Sequence, residues 1–409
     1  MTKSSLKIKV DRITPRIQYT VDFVFQSRGI NVDLVVDGED HQLDYTENGN
    51  ASYLLYSENL ELHPSFNKEL SVLEFKGKAD YLASIFYVLT RMEEYTSPDK
   101  DQHDRFTASQ SILSKYNLLD QAICDRWADH LIASLGIELP EKSISFEPTF
   151  DIDNSFAYKH KTGSRRRFSI LKDRLKNNKK RLAERKAVDI GGEDPYDTYE
   201  IITNIARQFQ DTRIFWLVES NGKYDRNLDI NHTRHQELIR SLSSVAEIGI
   251  HPSYKSFCSK SLVRKEKSAL ASILGTEINS SRQHFLRFTL PDSYRTLLEA
   301  GIKNDYSMGF ADNFGFRAGT AKSFRWYDLL DESITELTIH PFVYMDGTLN
   351  EYLKLTPEQA RDRISDLYVE VKRYGGTFRF IWHNETIGEY NHWKGWRSVL
   401  EHTLSLHHE

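Results

Sequence analysis

The sequence predicts an α/β protein of two domains, a smaller mixed module followed by a longer segment built on a parallel sheet. Three observations lead there. The chain has 409 residues, well beyond the roughly 150 of a typical single domain. Pro140 punctuates the pattern, so the boundary falls at 141–143 and the domains are 1–143 and 144–409. From Ile144 onward short apolar runs alternate with longer helical stretches, the rhythm of parallel strands joined by crossover helices.

In the first domain, VDLVV (32–36) and YLLYS (53–57) have the β-branched and aromatic make-up of strands. Residues 81–95, YLASIFYVLTRMEEY, carry apolar side chains at helical spacing, and 120–135 reads as a second amphipathic helix closing at Gly136. In the second domain strands are expected at 144–153, 213–220, 245–251, 281–288, 336–342 and 377–384. Helices are expected between them at 196–210, 232–244, 262–274, 292–300 and 357–374. The last has Thr356 as N-cap, Pro357 in its first turn and Gln359 completing a capping box, and it stops at Gly375 and Gly376. Such a parallel sheet is open or closed into a barrel. In either form chemistry gathers at the carboxyl ends of the strands.

Composition narrows the function classes. With 39% hydrophobic and 28% charged residues and ten prolines, the chain is not disordered, collagenous or a coiled coil. No apolar run reaches the roughly 18 residues of a membrane span. The N-terminal stretch lacks the apolar core of a secretory signal, and Cys124 and Cys258 make no disulfide framework, so a reducing, cytoplasmic setting is expected. A net charge of −5 gives no global pull toward nucleic acid.

Polar residues stand where the strand ends are expected. The first strand ends in Asp151 and Asp153, the third in His251 and the last in His383, while the fourth carries Arg282 and His284. Carboxylates at i and i+2 of a strand point to one face. Two like charges held there are unfavourable unless a cation or a shared proton relieves them. Each residue also has a plainer use, the aspartates as loop or cap residues and the histidines as satisfied core groups. Together, carboxylates and imidazoles suit a borderline divalent ion, zinc above all, with one position open to water. A free carboxylate then takes the water's proton and a histidine across the site protonates the leaving group. This chemistry is metal-assisted hydrolysis of an amide or ester.

These residues also carry a family resemblance. T-F-D-I-D (149–153) resembles the first motif, T-F-D-D-G, of the NodB-type polysaccharide deacetylases of carbohydrate esterase family 4. E-I-G-I-H-P-S (247–253), S-R-Q-H-F-L-R (281–287) and F-I-W-H-N (380–384) resemble the second, third and last motifs in order. The resemblance spans about 144–400 and implies a distorted (β/α)7 barrel. Residues 305–320 and 341–349 look like a divergent subgroup that carries an uncharacterised N-terminal domain. Reconciled with the residues present here, the resemblance leaves Asp153, His251 and His284 to hold the metal and Asp151 to act as base. Arg282 then orients Asp151 and depresses its pKa, and His383 is the acid, with Asn384 fixing its orientation. The two aspartate roles are interchangeable at this level. Trp382, Asn384, Arg317 and Tyr254 are the candidates for substrate contact.

The sequence departs from the pattern at three places. Lys255 stands where the second motif has its other metal histidine, Ile152 takes the place of the second aspartate, and His284 replaces a proline. The implied activity is removal of an acetyl group from an N-acetylated sugar or polysaccharide precursor. The alternatives are hydrolysis of a non-peptide C–N bond in a small molecule, or a glycan-binding pseudoenzyme without catalysis.

Elsewhere Trp393, Trp396, Tyr306 and Phe316 read as core or pocket wall, and His340 marks another strand end. Glu93, Glu94 and 104–106 read as an interface between the domains within reach of the cleft. A basic insertion (about 159–190) follows the first strand of the second domain. Between 159 and 186 it holds thirteen Lys or Arg against only Asp173 and Glu184. A solvated loop is the plain reading; the sharper one is a platform for anionic membrane headgroups or a polyanionic glycan carrier, with Leu171, Leu175 and Leu182 permitting a basic amphipathic helix.

Overall fold

The computed structural model describes residues 5–408 apart from 61 and 98, and the side chains of 164 and 165 are also outside the described residues. The first four residues of the N-terminal stretch and the Arg165 side chain of the basic run therefore lie outside them.

The N-terminal part opens on β1 (Leu6–Val10), whose alternation LKIKV buries Leu6, Ile8 and Val10. It pairs in parallel with β2 (Val32–Val35) and β3 (Leu43–Tyr45). Helix α1 (Pro15–Val24) starts on Thr14, whose hydroxyl accepts the Ile17 amide, with Pro15 in the first turn. A small antiparallel meander of β4 (Ser65–Asn67), β5 (Val72–Phe75) and β6 (Lys78–Ala79) follows. Helix α2 (Tyr81–Leu89) is capped by Asp80; α3 (Met92–Thr96), α4 (Ile112–Lys115) and α5 (Ile123–Ser134) complete this part.

Two expectations fail here. Residues 53–56 form a 3-10 turn rather than a strand: the Ser57 amide donates back to the Leu54 carbonyl at 3.3 Å, so the backbone closes on itself instead of on a neighbouring strand. Residues 81–95 are two helices, broken where Arg91 adopts a left-handed φ of 57°.

The second part is a nine-stranded sheet in the order β12-β13-β11-β10-β9-β8-β7-β15-β14. Its strands are β7 (Ile144–Ile152), β8 (Arg213–Trp216), β9 (Glu247–Ile250), β10 (Ser280–Ser281) and β11 (Asn304–Asp305), then β12 (Phe324–Asp328), β13 (Ser333–Ile339), β14 (Tyr344–Met345) and β15 (Gly376–His383). All run parallel except β12, which pairs antiparallel with β13. The helices are α6 (Gly163–Leu175), α7 (Lys179–Asp189), α8 (Tyr199–Gln208), α9 (Thr233–Ser243) and α10 (Lys260–Leu274), followed by α11 (Asp292–Glu299), α12 (Pro357–Tyr374), α13 (Asn384–Ile387) and α14 (Arg397–Ser405). The capping box at Thr356 and Gln359 is formed, and Gly375 ends α12 at φ 75°.

The expected strand at 281–288 shrinks to two residues, since Gln283 turns the chain into a short 3-10 segment whose Phe285 is left-handed at φ 63°. Strands β11, β12 and β14 are additions to the expected set.

The sheet is strongly curled. Arg282, next after β10, reaches Asp151 on β7 at 2.7 Å, although three strand steps would separate them by roughly 14 Å in a flat sheet. Arg379 of β15 lies 5.3 Å from the Tyr306 ring that follows β11, five steps away along the sheet. Buried side chains of both parts join one continuous core, from Leu6 to Leu406. Among the described residues no helix is long and apolar enough to cross a membrane.

Candidate metal centre

Because neighbouring strands run parallel, their carboxyl ends share one rim of the sheet. Asp151 is the penultimate residue of β7, Asp153 follows that strand, and His251 follows β9. His284 lies just beyond β10, and His383 closes β15 in register with Asp151. A cleft of about 470 Å³ opens on this rim and is lined by Asp151, Asp153, His251, His284 and His383. All five were singled out in the sequence.

Asp153, His251 and His284 can each offer a ligand atom, and these atoms lie within 4.8 Å of one another. His251 Nε2 is 3.2 Å from Asp153 Oδ1, and His284 Nε2 is 3.4 Å from Asp153 Oδ2. Two zinc ligands at tetrahedral angles stand about 3.3 Å apart, so the spacing fits a small divalent cation. The backing groups fix the tautomers. His251 Nδ1 is 2.6 Å from the Arg282 carbonyl and His284 Nδ1 is 2.9 Å from Asp225 Oδ1. Carbonyl and carboxylate oxygens only accept, so each Nδ1 donates and each Nε2 is the ring nitrogen that faces Asp153. Asp153 Oδ1 is buried and has no hydrogen-bond partner among the described residues. An acceptor left bare there suits a cation.

The electrostatics agree. Burial works against the Asp153 carboxylate, yet His284 and His251 outweigh it and hold its pKa well below the usual range. Burial would lower the His284 imidazole, but Asp153 first and Asp225 next raise it to about 9. Asp225 itself stays below the usual carboxylate range because the bond from His284 and the Tyr254 amide overcome its burial. A cation at this point displaces the Nε2 proton, since imidazole ligates as the neutral base.

Two further side chains flank the triad. Arg282, fully buried, donates from Nη1 to Asp151 Oδ1 at 2.7 Å and from Nε to the Tyr306 carbonyl at 3.0 Å. That leaves Asp151 Oδ2 turned toward His251 Nε2, 3.8 Å away. On the other side His383 Nδ1 is 2.8 Å from Asp346 Oδ1, and its backbone amide donates to Asp346 Oδ2 at 2.9 Å. Burial opposes the charged form of His383, but Asp346 and then Asp153 and Asp151 hold its pKa well above the usual value. Its Nε2 is 3.9 Å from Asp153 Oδ2.

Several expected roles are corrected. Asn384 does not orient His383; its fully buried amide ties the Asn154 and Tyr196 carbonyls together, and Asp346 does the orienting. Arg317 meets no substrate space, being buried in a two-pronged pair with Glu94 at 2.9 and 2.6 Å. Trp382 is a core side chain whose indole donates to Tyr344 Oη. Tyr254 stands behind the cleft wall, against Tyr224 and Phe285. His340 stacks on Tyr306 instead of facing the rim. Lys255, at the place of the missing histidine, turns outward to the Asn221 carbonyl and Glu219.

Sequence reasoning missed Asp225, Asp346 and Glu385. All three sit in loops or just past strand ends, where no periodicity marks them. Glu385 lines the cleft, and burial, then Asp153, raises its carboxyl to about 7. From the N-terminal part Arg105 lines the cleft too, anchored by Asp101 and donating to the Phe285 carbonyl at 2.9 Å. It thereby clasps the left-handed residue next to His284.

Residues 6–140 match the model of a family of unknown function, DUF7033. No curated protein matches the sequence. Among solved structures the chain is similar to a proposed polysaccharide deacetylase from Mycobacterium smegmatis, 15% identical, over 66% of this chain and 85% of that one at a TM-score of 0.41. It is also similar to Puue allantoinase, 10% identical, over 65% and 84% of the two chains at a TM-score of 0.38. A polysaccharide deacetylase from Bacillus cereus is 11% identical, over 65% and 86%, at a TM-score of 0.30.

Proposed function

We propose that this chain is a metal-dependent hydrolase that removes an acetyl group from an N-acetylated sugar or polysaccharide precursor. The observation that carries the reading is one cleft holding an Asp-His-His donor set with a bare Asp153 oxygen, flanked by an arginine-held aspartate and an aspartate-held histidine. In this reading the curled sheet is a distorted (β/α)7 barrel of NodB type, with residues 1–143 as an accessory domain that lends Arg105 to the cleft wall. Free thiols at Cys124 and Cys258 suit a reducing, cytoplasmic setting.

Asp153, His251 and His284 would hold a divalent cation, zinc by its preference for such donors. That ion would supply Lewis acidity to the substrate carbonyl and lower the pKa of water at the site. Asp151 accepts the proton of the attacking water at Oδ2, because Oδ1 is occupied by Arg282. His383 donates to the leaving nitrogen from Nε2, its Nδ1 hydrogen being held by Asp346. Tyr196, Tyr224 and Trp393 line the same cleft and offer faces on which a pyranose ring can stack.

The test is acetate release from N-acetylated oligosaccharides by the zinc-loaded chain. Asp151→Asn is expected to lower the rate about 10²–10⁴-fold while zinc binding stays intact. Ammonia or ureido release from small amides in place of acetate would favour the C–N hydrolase, and zinc binding without any turnover would favour a glycan-binding pseudoenzyme. Loss of zinc binding in Asp151→Asn would overturn the assignment of that residue as base.

A further inference from the structure

The basic insertion forms a helical hairpin, α6 packed on α7. Its inner face is pinned. Arg185 bridges to Asp173 at 3.2 Å and to Ser169 at 2.9 Å, and Arg166 pairs with Asp189. Glu184 accepts hydrogen bonds from Tyr158 and Tyr390, and Lys180 donates to Asn391. The hairpin is thus fastened to the body through Tyr390, whose ring meets the cleft residue Tyr196 at 6.1 Å.

The outer face is unlike the inner one. Phe168, Leu171 and Leu175 are 70%, 51% and 79% exposed, and spacings of i, i+3 and i+7 put them on one stripe of α6. By the same helical geometry Lys172 and Lys176 flank the stripe on one side and Arg167 and Arg174 on the other. Buried Asp173 lies on the opposite side of the helix. Single exposed apolar residues are ordinary, whereas a contiguous stripe marks a contact surface.

We infer that α6 docks this chain peripherally onto an anionic lipid bilayer, with Phe168, Leu171 and Leu175 entering the headgroup–acyl boundary and the flanking cations meeting phosphates. The chemistry selects that occupant. A soluble polyanion would neutralise the cations but leave the apolar stripe in water. A second copy would bring two rows of like charge together. Only an acidic membrane surface satisfies both halves of the face. The inference is independent of the hydrolase reading, because docking is measured without turnover.

The test is co-sedimentation of the full chain with phosphatidylglycerol-containing vesicles against phosphatidylcholine alone. Binding to the anionic vesicles is expected, falling as salt rises. The triple variant Phe168→Ser, Leu171→Ser, Leu175→Ser is expected to lose about ten-fold or more in vesicle affinity, as is the variant with Arg167, Lys172, Arg174 and Lys176 changed to Glu. All seven positions are exposed, so circular dichroism should match the parent. Tryptophan emission of Phe168→Trp is expected to shift to shorter wavelength on the anionic vesicles only. Absence of binding, or binding that survives either variant, overturns the proposal. So does equal binding to dextran sulfate that is indifferent to the serine variant, which would make the face a polyanion site. Self-association abolished by the serine variant, without vesicle binding, overturns it as well.

Discussion

Asp225 takes the Nδ1 hydrogen of His284 and thereby aims Nε2 at Asp153. Outer groups of this kind tune affinity without touching the ion. Asp225→Ala is expected to weaken zinc binding about 10–100-fold, as read by isothermal titration calorimetry; an unchanged affinity would remove His284 from the ligand set. A second residue-scale effect concerns pH. Glu266 is buried beneath the His251 strand end and accepts hydrogen bonds from the Ser253 amide at 2.9 Å and hydroxyl at 2.5 Å. Burial raises its carboxyl from 4.5 to about 7. The folded chain therefore holds this proton more tightly than the unfolded one. The resulting stability is complete below about pH 4.5 and is lost as pH rises through about 7, at a slope of at most about 1.4 kcal/mol per pH unit. Glu266→Gln keeps a carbonyl for the Ser253 amide and is expected to flatten this slope in urea unfolding series. An identical slope in parent and variant would refute the assignment.

Helix α2 ends where it does because Arg91 is needed elsewhere. Its left-handed turn sends the guanidinium into a buried cluster, 2.7 Å from both Glu93 and Glu94, while Glu94 also grips Arg317. Burial opposes the Glu94 carboxylate, but Arg317 and Arg91 hold it down at about 2. Glu94→Gln leaves two buried guanidinium groups without their shared counter-charge and is expected to cost about 3–5 kcal/mol in urea unfolding. A loss below about 1 kcal/mol would mean that the cluster behaves as a solvated surface pair. The helical spacing of apolar residues runs on through 81–95, so nothing local announces the break; Arg317, its cause, lies 226 residues away in the chain. Element β10 shows the same limit. Its sequence reads as a strand through Phe288, yet His284 and Phe285 turn off the ladder, with Arg105 of the N-terminal part gripping the Phe285 carbonyl. By contrast α12 was legible to its ends, because its capping box and terminal glycine are local devices.

The two parts of the chain share one core, and polar ties reinforce it. Asp125 receives Arg28 from its own part and Thr320 and Lys322 from the other. Gly319, left-handed at φ 67°, lies so close to α5 that an added Cβ would stand 2.7 Å from Cys124 Sγ. Such interlocking predicts cooperative unfolding. In pulsed hydrogen exchange, peptides covering α5 and β15 are expected to lose protection at the same urea concentration; two separated transitions would show that the parts unfold independently. The alternation of strand and helix, the polar residue at each strand end and the cap signals of α12 follow from short-range periodicity, so the sequence alone determined the α/β class and five residues of the cleft. Which group backs each histidine, and which arginine faces the core instead of the substrate, was decided only in the folded chain. Asp225, Asp346 and Arg317 sit in connections of irregular conformation. Their partners are chosen by the curl of the sheet and by the packing of the N-terminal part, which bring together residues that no repeating spacing relates.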